Sequence, residues 1–318
     1  MAIEIGPGWT IGGGISIVQP PSTPTAGWYV GGFLSTGIVS TVNRITFATD
    51  TAIASVRGPL SIAKQYEAAT GTLTAGWVAA GESPGALSSV DRITFATDTA
   101  TATARGPLSS ARYNLSATSD NTTYGWYVGG FLGTTLSIID RITFSTDTAT
   151  ASVRGPTSAV GYNGAASTDG TTYGWFNLGR NDSGRLSSVN RITYATDTAT
   201  ASLRGPLTGN RYRNGATGNS TDGWYFGGGN PGSISSVERI TYATDTATAS
   251  VRGPLIGPVS LDPSGSTDST TYGWVGGGES PNNSVIQRIT YATDTATASN
   301  RGNFVGGGQN WAATSGIQ

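Results

Sequence analysis

Arginine and aspartate recur in step along this chain and are its residues best suited to chemistry. Arg44 and Arg57 open a series that continues with Arg92 and Arg105 and ends with Arg288 and Arg301. Asp50, Asp98, Asp147, Asp197, Asp245 and Asp294 follow in the same register. A ring of guanidiniums could bind anions, because each offers five fixed donors. The same donors could instead fork onto the repeated aspartates or onto carbonyls of a neighbouring unit. Near-identical copies favour this scaffold role.

Other chemistry has little to draw on. The 318 residues include no His and no Cys. That removes the Ser-His-Asp triad, the Cys nucleophile, the imidazole acid–base and the usual zinc site. One carboxylate per Thr-Asp-Thr turn falls short of the roughly six to eight oxygens around calcium. A glycosidase-type carboxylate pair needs no His, but the spacing of Glu82, Asp182 and Glu279 sets no distance between them. Gly227-Gly228-Gly229 opens no helix, so it is no phosphate loop. The expectation is a non-enzyme with no catalytic residue, no metal and no cofactor. A balance of 18 basic against 19 acidic residues provides no basic face for nucleic acid. No segment approaches the roughly 18 apolar residues that span a bilayer. Met1-Ala2-Ile3-Glu4 lacks the basic start of a secretory leader.

A repeat carries these residues. Arg-Ile-Thr begins at Arg44, Arg92, Arg141, Arg191, Arg239 and Arg288. Gly-Trp places Trp28, Trp77, Trp126, Trp175, Trp224 and Trp274 at intervals of 49 or 50 residues. Each unit reads as four short strands. Trp126-Tyr127-Val128 runs into Gly129-Gly130, and Ile139–Phe144 is rich in β-branched and aromatic residues. After the turn Thr146-Asp147-Thr148, a third strand over Ala149–Arg154 stops at Gly155-Pro156, since Pro lacks a ladder amide. A fourth surrounds Tyr162. Four strands in units of about 45–50 residues predict propeller blades.

Gln309-Asn310-Trp311-Ala312-Ala313-Thr314 resembles Lys64-Gln65-Tyr66-Glu67-Ala68-Ala69, a fourth strand with no unit after it. It should complete the first blade and so remove an open edge. The predicted fold is all-β: a six-bladed propeller of four-stranded blades, closed by the C-terminal strand, with a short N-terminal β-arm over 1–20. Blade 1 takes 21–57 plus 302–318; the others take 58–105, 106–154, 155–204, 205–252 and 253–301. The six Trp side chains should pack between blades and not form a sugar-stacking ring.

Arg141-Ile142-Thr143-Phe144, Thr146-Asp147-Thr148, Gly155-Pro156 and Trp126-Tyr127-Val128-Gly129-Gly130 together resemble the kelch repeat. The likeness covers about residues 27–302. Two departures stand out. A kelch unit carries Trp in the strand after the Asp turn, where this chain has Ala102, Ala151 or Ala249, and the glycine pair is lost at Ala79-Ala80 and Leu178-Gly179. A narrower resemblance is to kelch-like arrays of marine cyanophage structural proteins, through Arg-Ile-Thr, Thr-Asp-Thr-Ala-Thr-Ala-Ser and Arg-Gly-Pro-Leu. The Ile-Gly-rich opening over Ile5–Ile17 is similar to openings of virion and tail-associated proteins. The resemblance implies a virion component on the tail or tail fibre, displaying propeller loops to a host-surface glycan or protein receptor. Alternatives are a decoration protein that stabilises the particle and a free lectin or protein-interaction scaffold. By analogy with tail fibres, a trimer is the expected oligomer.

Where the copies differ, recognition is expected. The loop after the glycine pair varies most and supplies Glu82, Arg180, Asn181, Asp182, Arg185 and Glu279 as ligand-binding candidates. The second variable loop adds Lys64, Arg112, Arg211 and Arg213. In the arm, Ile5, Trp9, Ile11, Ile15 and Ile17 are expected to anchor the protein to other virion or tail proteins.

Overall fold

A computed structural model describes residues 10–11, 15–16, 23–229, 232–257, 262–278 and 284–317. Six antiparallel sheets of four strands stand around one axis as a β-propeller. Blade 3 shows the plan: Ser116–Ser119 is innermost, followed outward by Tyr124–Val128, Ile139–Thr143 and the rim strand Ser152–Val153. Blade 1 takes its inner strand from the other end of the chain. Ala312–Gly316 pairs with Ala26–Val30, from Ala26 opposite Gly316 to Val30 opposite Ala312.

Three details differ from the sequence-based expectation. The inner strand of blade 4 is Ala166–Thr168, and Tyr162 lies in the loop before it. Asn163, with φ of 60°, turns the chain toward the axis there. The third strand shrinks to Ser152–Val153, because Ala149 N–H closes the turn onto the Thr146 carbonyl and Ala151 N–H bonds to the Pro107 carbonyl in place of the ladder. The closing strand is shifted by one residue. Ala312 stands opposite Val30 as Ala68 stands opposite Ala79, so Trp311 is the counterpart of Glu67. A slip of one residue exchanges strand faces, and Ala313 therefore lines the axis with Ala69, Ala117, Ala166, Ala216 and Gly265. These are small because six inner strands converge there.

The core lies between blades. Trp126 is fully buried and stacks on Tyr194 of the next blade, with ring centroids 4.1 Å apart and planes 11° off parallel. The seam between the last and first blades is built alike: Trp274 stacks on Phe47 at 3.8 Å and 5°. Each such pair adds about 0.5–1.5 kcal/mol beyond its burial.

The repeated charges close the same interfaces. Asp197 Oδ2 accepts the Trp126 indole N–H at 2.8 Å and an Arg141 N–H at 3.1 Å, with Arg154 Nε 3.5 Å away. At the seam, Asp50 receives Trp274 at 2.8 Å, Arg288 at 3.1 Å and Arg301 at 3.5 Å. All twelve repeated arginines are held in this way. The scaffold role is the one the structure uses.

Backbone contact completes each interface. Gly155 N–H donates to the Asp197 carbonyl at 2.8 Å. A Cβ on Gly155 would fall 2.0 Å from the Ala199 carbonyl oxygen, so the Gly of each Arg-Gly-Pro permits close approach. Gly155→Ala is expected to cost about 1–3 kcal/mol through overpacking. Thermal melting checks this; an unchanged midpoint would mean that the interface yields freely.

Candidate functional site

Antiparallel strands send alternate loops to opposite ends of the propeller. One end carries the Thr-Asp-Thr turns and the hairpins from inner strand to Trp strand. There Asp169 Oδ1 accepts three amides, from Thr171, Thr172 and Tyr173, at 2.8–3.0 Å. Asp120 and Asp268 repeat that arrangement. The other end carries both sets of variable loops. They knit together through single bridges such as Gln65 with Glu82, Tyr113 with Phe131, Tyr162 with Arg180 and Tyr212 with Gly229.

A ring of backbone bonds rims the channel at this loop end. Tyr66, Asn114, Asn163, Arg213, Asp262 and Asn310, one per blade, have left-handed φ of 55–66°. Asn114 donates its amide to Tyr66, Asn163 to Asn114, Arg213 to Asn163 and Asp262 to Arg213, all at 2.7–2.8 Å, and Tyr66 to Asn310 at 3.3 Å. Inside the ring, Arg213 reaches across the mouth. It donates to the Tyr66 hydroxyl at 3.2 Å and to Asn310 Oδ1 at 3.1 Å, and pairs with Asp262 at 2.5 Å. Partial burial raises the Tyr66 phenol above its ordinary value, and the Arg213 charge opposes this only in part. The opposite mouth opens into a cavity of about 230 Å³.

The second-loop cations divide sharply. Lys64 is fully buried on Asp91 at 2.9 Å, and Arg112 on Asp140 at 2.7 Å. Arg211 is 2% exposed and paired with Glu238; burial lowers its guanidinium to about 10, so it stays charged at neutral pH. The expectation that Arg211 displays itself to a ligand is therefore corrected. Each pair joins the approach to the inner strand to the residue before Arg in the Arg-Ile-Thr strand. Where no cation is present, that residue is an amide: Asn190 accepts the Ser158 N–H at 3.1 Å, and Gln287 accepts that of Ile256 at 2.6 Å.

Glu67 is a further buried acid close to the Lys64 pair. Burial pushes its carboxyl up to about 8, against the pull of the Lys64 ammonium. The native state thus holds a proton that the unfolded chain releases near its ordinary value of about 4.3. Its stabilising share is complete below that value and is lost as pH rises toward 8. Glu67→Gln should remove this slope. Its melting temperature should gain several degrees on wild type between about pH 4 and about pH 9; parallel pH profiles would contradict the assignment.

The first-loop candidates lie on the loop face. Arg180–Asn181 and Gly184–Arg185 form a hairpin in which Arg180 stands opposite Arg185. Asn181 Oδ1 caps its turn, accepting the Ser183 amide at 2.9 Å and the Gly184 amide at 3.1 Å. Asp182 is exposed at the tip and accepts the Thr135 hydroxyl of blade 3 at 2.6 Å. Glu82 is half-buried and exchanges backbone bonds with Gln65. Glu279 lies outside the described residues, as do Ile5, Trp9 and Ile17. Ile11 and Ile15 stand opposite each other in a two-stranded hairpin of Thr10–Ile11 and Ile15–Ser16.

The structure also shows an aromatic line that the sequence reading left unassembled. Ring centroids separate Tyr66 from Tyr113 by 6.2 Å, Tyr113 from Phe131 by 5.7 Å and Phe131 from Tyr162 by 5.0 Å. The Arg180 guanidinium then lies 5.4 Å from the Tyr162 ring and 5.5 Å from the Tyr212 ring, with Arg185 5.1 Å over Tyr212. All these side chains are half-buried. A signal did exist: Tyr113, Tyr162 and Tyr212 stand 12 or 13 residues ahead of their Trp. No family model matches the sequence, and no curated protein matches it.

Proposed function

We propose that the protein is a non-catalytic recognition module that binds a glycan through its loop face. The observation that carries this reading is the contrast between the two ends of the propeller. Turns at one end are near copies, bound up in their own hydrogen bonds. At the other end a half-exposed line of Tyr66, Tyr113, Phe131, Tyr162, Arg180 and Tyr212 crosses four neighbouring blades. Tyrosine offers an apolar face and a polar edge at low entropic cost, which suits the faces and hydroxyls of sugars. A propeller is also a common scaffold for binding proteins.

The kelch-type order of motifs and the cyanophage-like Arg-Ile-Thr and Thr-Asp-Thr-Ala-Thr-Ala-Ser segments support the finer reading. In it the protein sits on a phage tail or tail fibre, the N-terminal hairpin attaches it to other virion proteins, and the ligand is a saccharide of the host surface. Tyr162→Ala with Tyr212→Ala should weaken binding to isolated host polysaccharide about tenfold or more, with the melting temperature within a few degrees of wild type. Undiminished binding by that folded variant would exclude the loop face as the binding surface. Gold-labelled antibody on purified particles locates the protein, and label confined to capsid facets would overturn the tail assignment.

A further inference from the structure

We propose that Arg180 and Arg185 form a site for the carboxylate of an acidic sugar, so that the ligand of the loop face is a uronate-bearing glycan. This rests on the glycan reading above and adds a ligand class to it.

The chain has 18 basic residues. Sixteen of them lie within 4.0 Å of a carboxylate. Among the described residues, the two without an acidic partner are Arg180 and Arg185. They are not scattered; they face each other directly across one short hairpin. Like charges in that position repel and weaken the pairing. The nearest acid in the chain, Asp182 at the tip, takes a hydroxyl from Thr135 and makes no ion pair with either arginine.

The two guanidiniums are held ready for an anion. Arg180 lies between the rings of Tyr162 and Tyr212, and Arg185 over Tyr212. Such cation–π contact steadies a guanidinium without occupying its N–H donors, which can fork onto a carboxylate. The hairpin is itself tied down, because Arg180 and Tyr162 exchange backbone hydrogen bonds at 2.9 and 3.0 Å. Arg180 Nε is buried and has no acceptor. A single carboxylate received between the pair would meet charge-assisted donors and relieve the repulsion.

The surroundings favour a sugar acid over an acidic peptide. The half-exposed rings of Phe131 and Tyr162 continue outward from the arginines toward Tyr113. A polysaccharide would lay successive pyranose faces along that line while one unit gives its carboxylate to the arginines.

The test uses the full-length protein and three uronate oligomers: galacturonate, alginate and hyaluronan. Each is compared with its methyl ester by calorimetric titration. At least one acid form should bind about tenfold or more tightly than its ester. Its affinity should fall as salt rises from about 50 to about 300 mM. Arg185→Gln and Arg180→Gln should each remove that preference, so that acid and ester bind the variant equally. Arg185→Gln carries the test if Arg180→Gln melts early.

Equal binding of acid and ester, or a preference that survives both substitutions, overturns the site. Tighter binding of polyglutamate than of any uronate overturns the sugar assignment. If esters and host polysaccharide bind through the tyrosines but no acid form is preferred, only this inference fails. If no saccharide binds at all, the glycan reading of the face fails with it.

Discussion

Removal of residues 309–318 is expected to abolish the cooperative melting transition of the protein. These residues contain Ala312–Gly316, which pairs along its whole length with Ala26–Val30 and flanks the inner strands of blades 2 and 6. Without it the Trp28 strand of blade 1 becomes an unpaired edge. Packing against Trp311 would also be lost, including its edge-on contact with Phe304 at 4.4 Å. Two blade interfaces are weakened at once, and a ring has no redundancy: opening one seam turns a closed wheel into a stack with two exposed ends. The loss should exceed about 5 kcal/mol, comparable with the roughly 5–15 kcal/mol that stabilises most proteins. Calorimetry and tryptophan fluorescence should then give broad, non-coincident transitions or an aggregated product. A sharp melt at the wild-type temperature would contradict closure by the C-terminal strand.

Asp98→Ala should produce the second-largest effect. One carboxylate oxygen of Asp98 receives the Trp28 indole N–H at 2.9 Å and Arg44 at 2.9 Å, with Arg57 at 3.5 Å. Asp98 and Arg44 are nearly buried, at 6% and 9% side-chain exposure. Removing the carboxylate leaves two guanidiniums at the interface without it, and breaking such a buried pair costs about 3–5 kcal/mol. Asp98→Asn keeps a neutral acceptor and should cost less, about 1–3 kcal/mol. Asp50→Ala at the seam should match Asp98→Ala, because its partners are held in the same geometry. Denaturant unfolding measures all three, with exposed Asp182→Asn as a control expected within about 0.5 kcal/mol of wild type. A loss below about 1 kcal/mol for Asp98→Ala would mean that water replaces the carboxylate.

Both expectations concern features that the sequence displayed to different degrees. The Arg, Asp and Trp series announced a repeated interface, and the choice of scaffold over anion ring followed from their equivalence. Their grouping did not follow: Trp126 bonds to Asp197, 71 positions away, and not to the nearer Asp147. The closing strand was recognisable, but its register was misplaced by one residue, because Gln, Asn, Ala and Thr give a strand little hydrophobic alternation to align by. Lys64, Arg112 and Arg211 looked like variable surface loop residues. Each is buried on an acid at the residue before Arg in its Arg-Ile-Thr strand, and the exchange of Asp or Glu for Asn or Gln in the other blades was the legible trace of it.

Six alike blades with apolar interfaces, and variation confined to particular loops, were legible in the order of the residues alone. Those properties come from spacing, strand chemistry and turn residues inside one unit, so the repeat itself displays them. Which charges vanish into the protein and which remain available is set by the folded chain, which leaves Arg180 and Arg185 together on a tyrosine-lined face. Burial and partnership join residues that are far apart along the chain, and a local period carries no record of them.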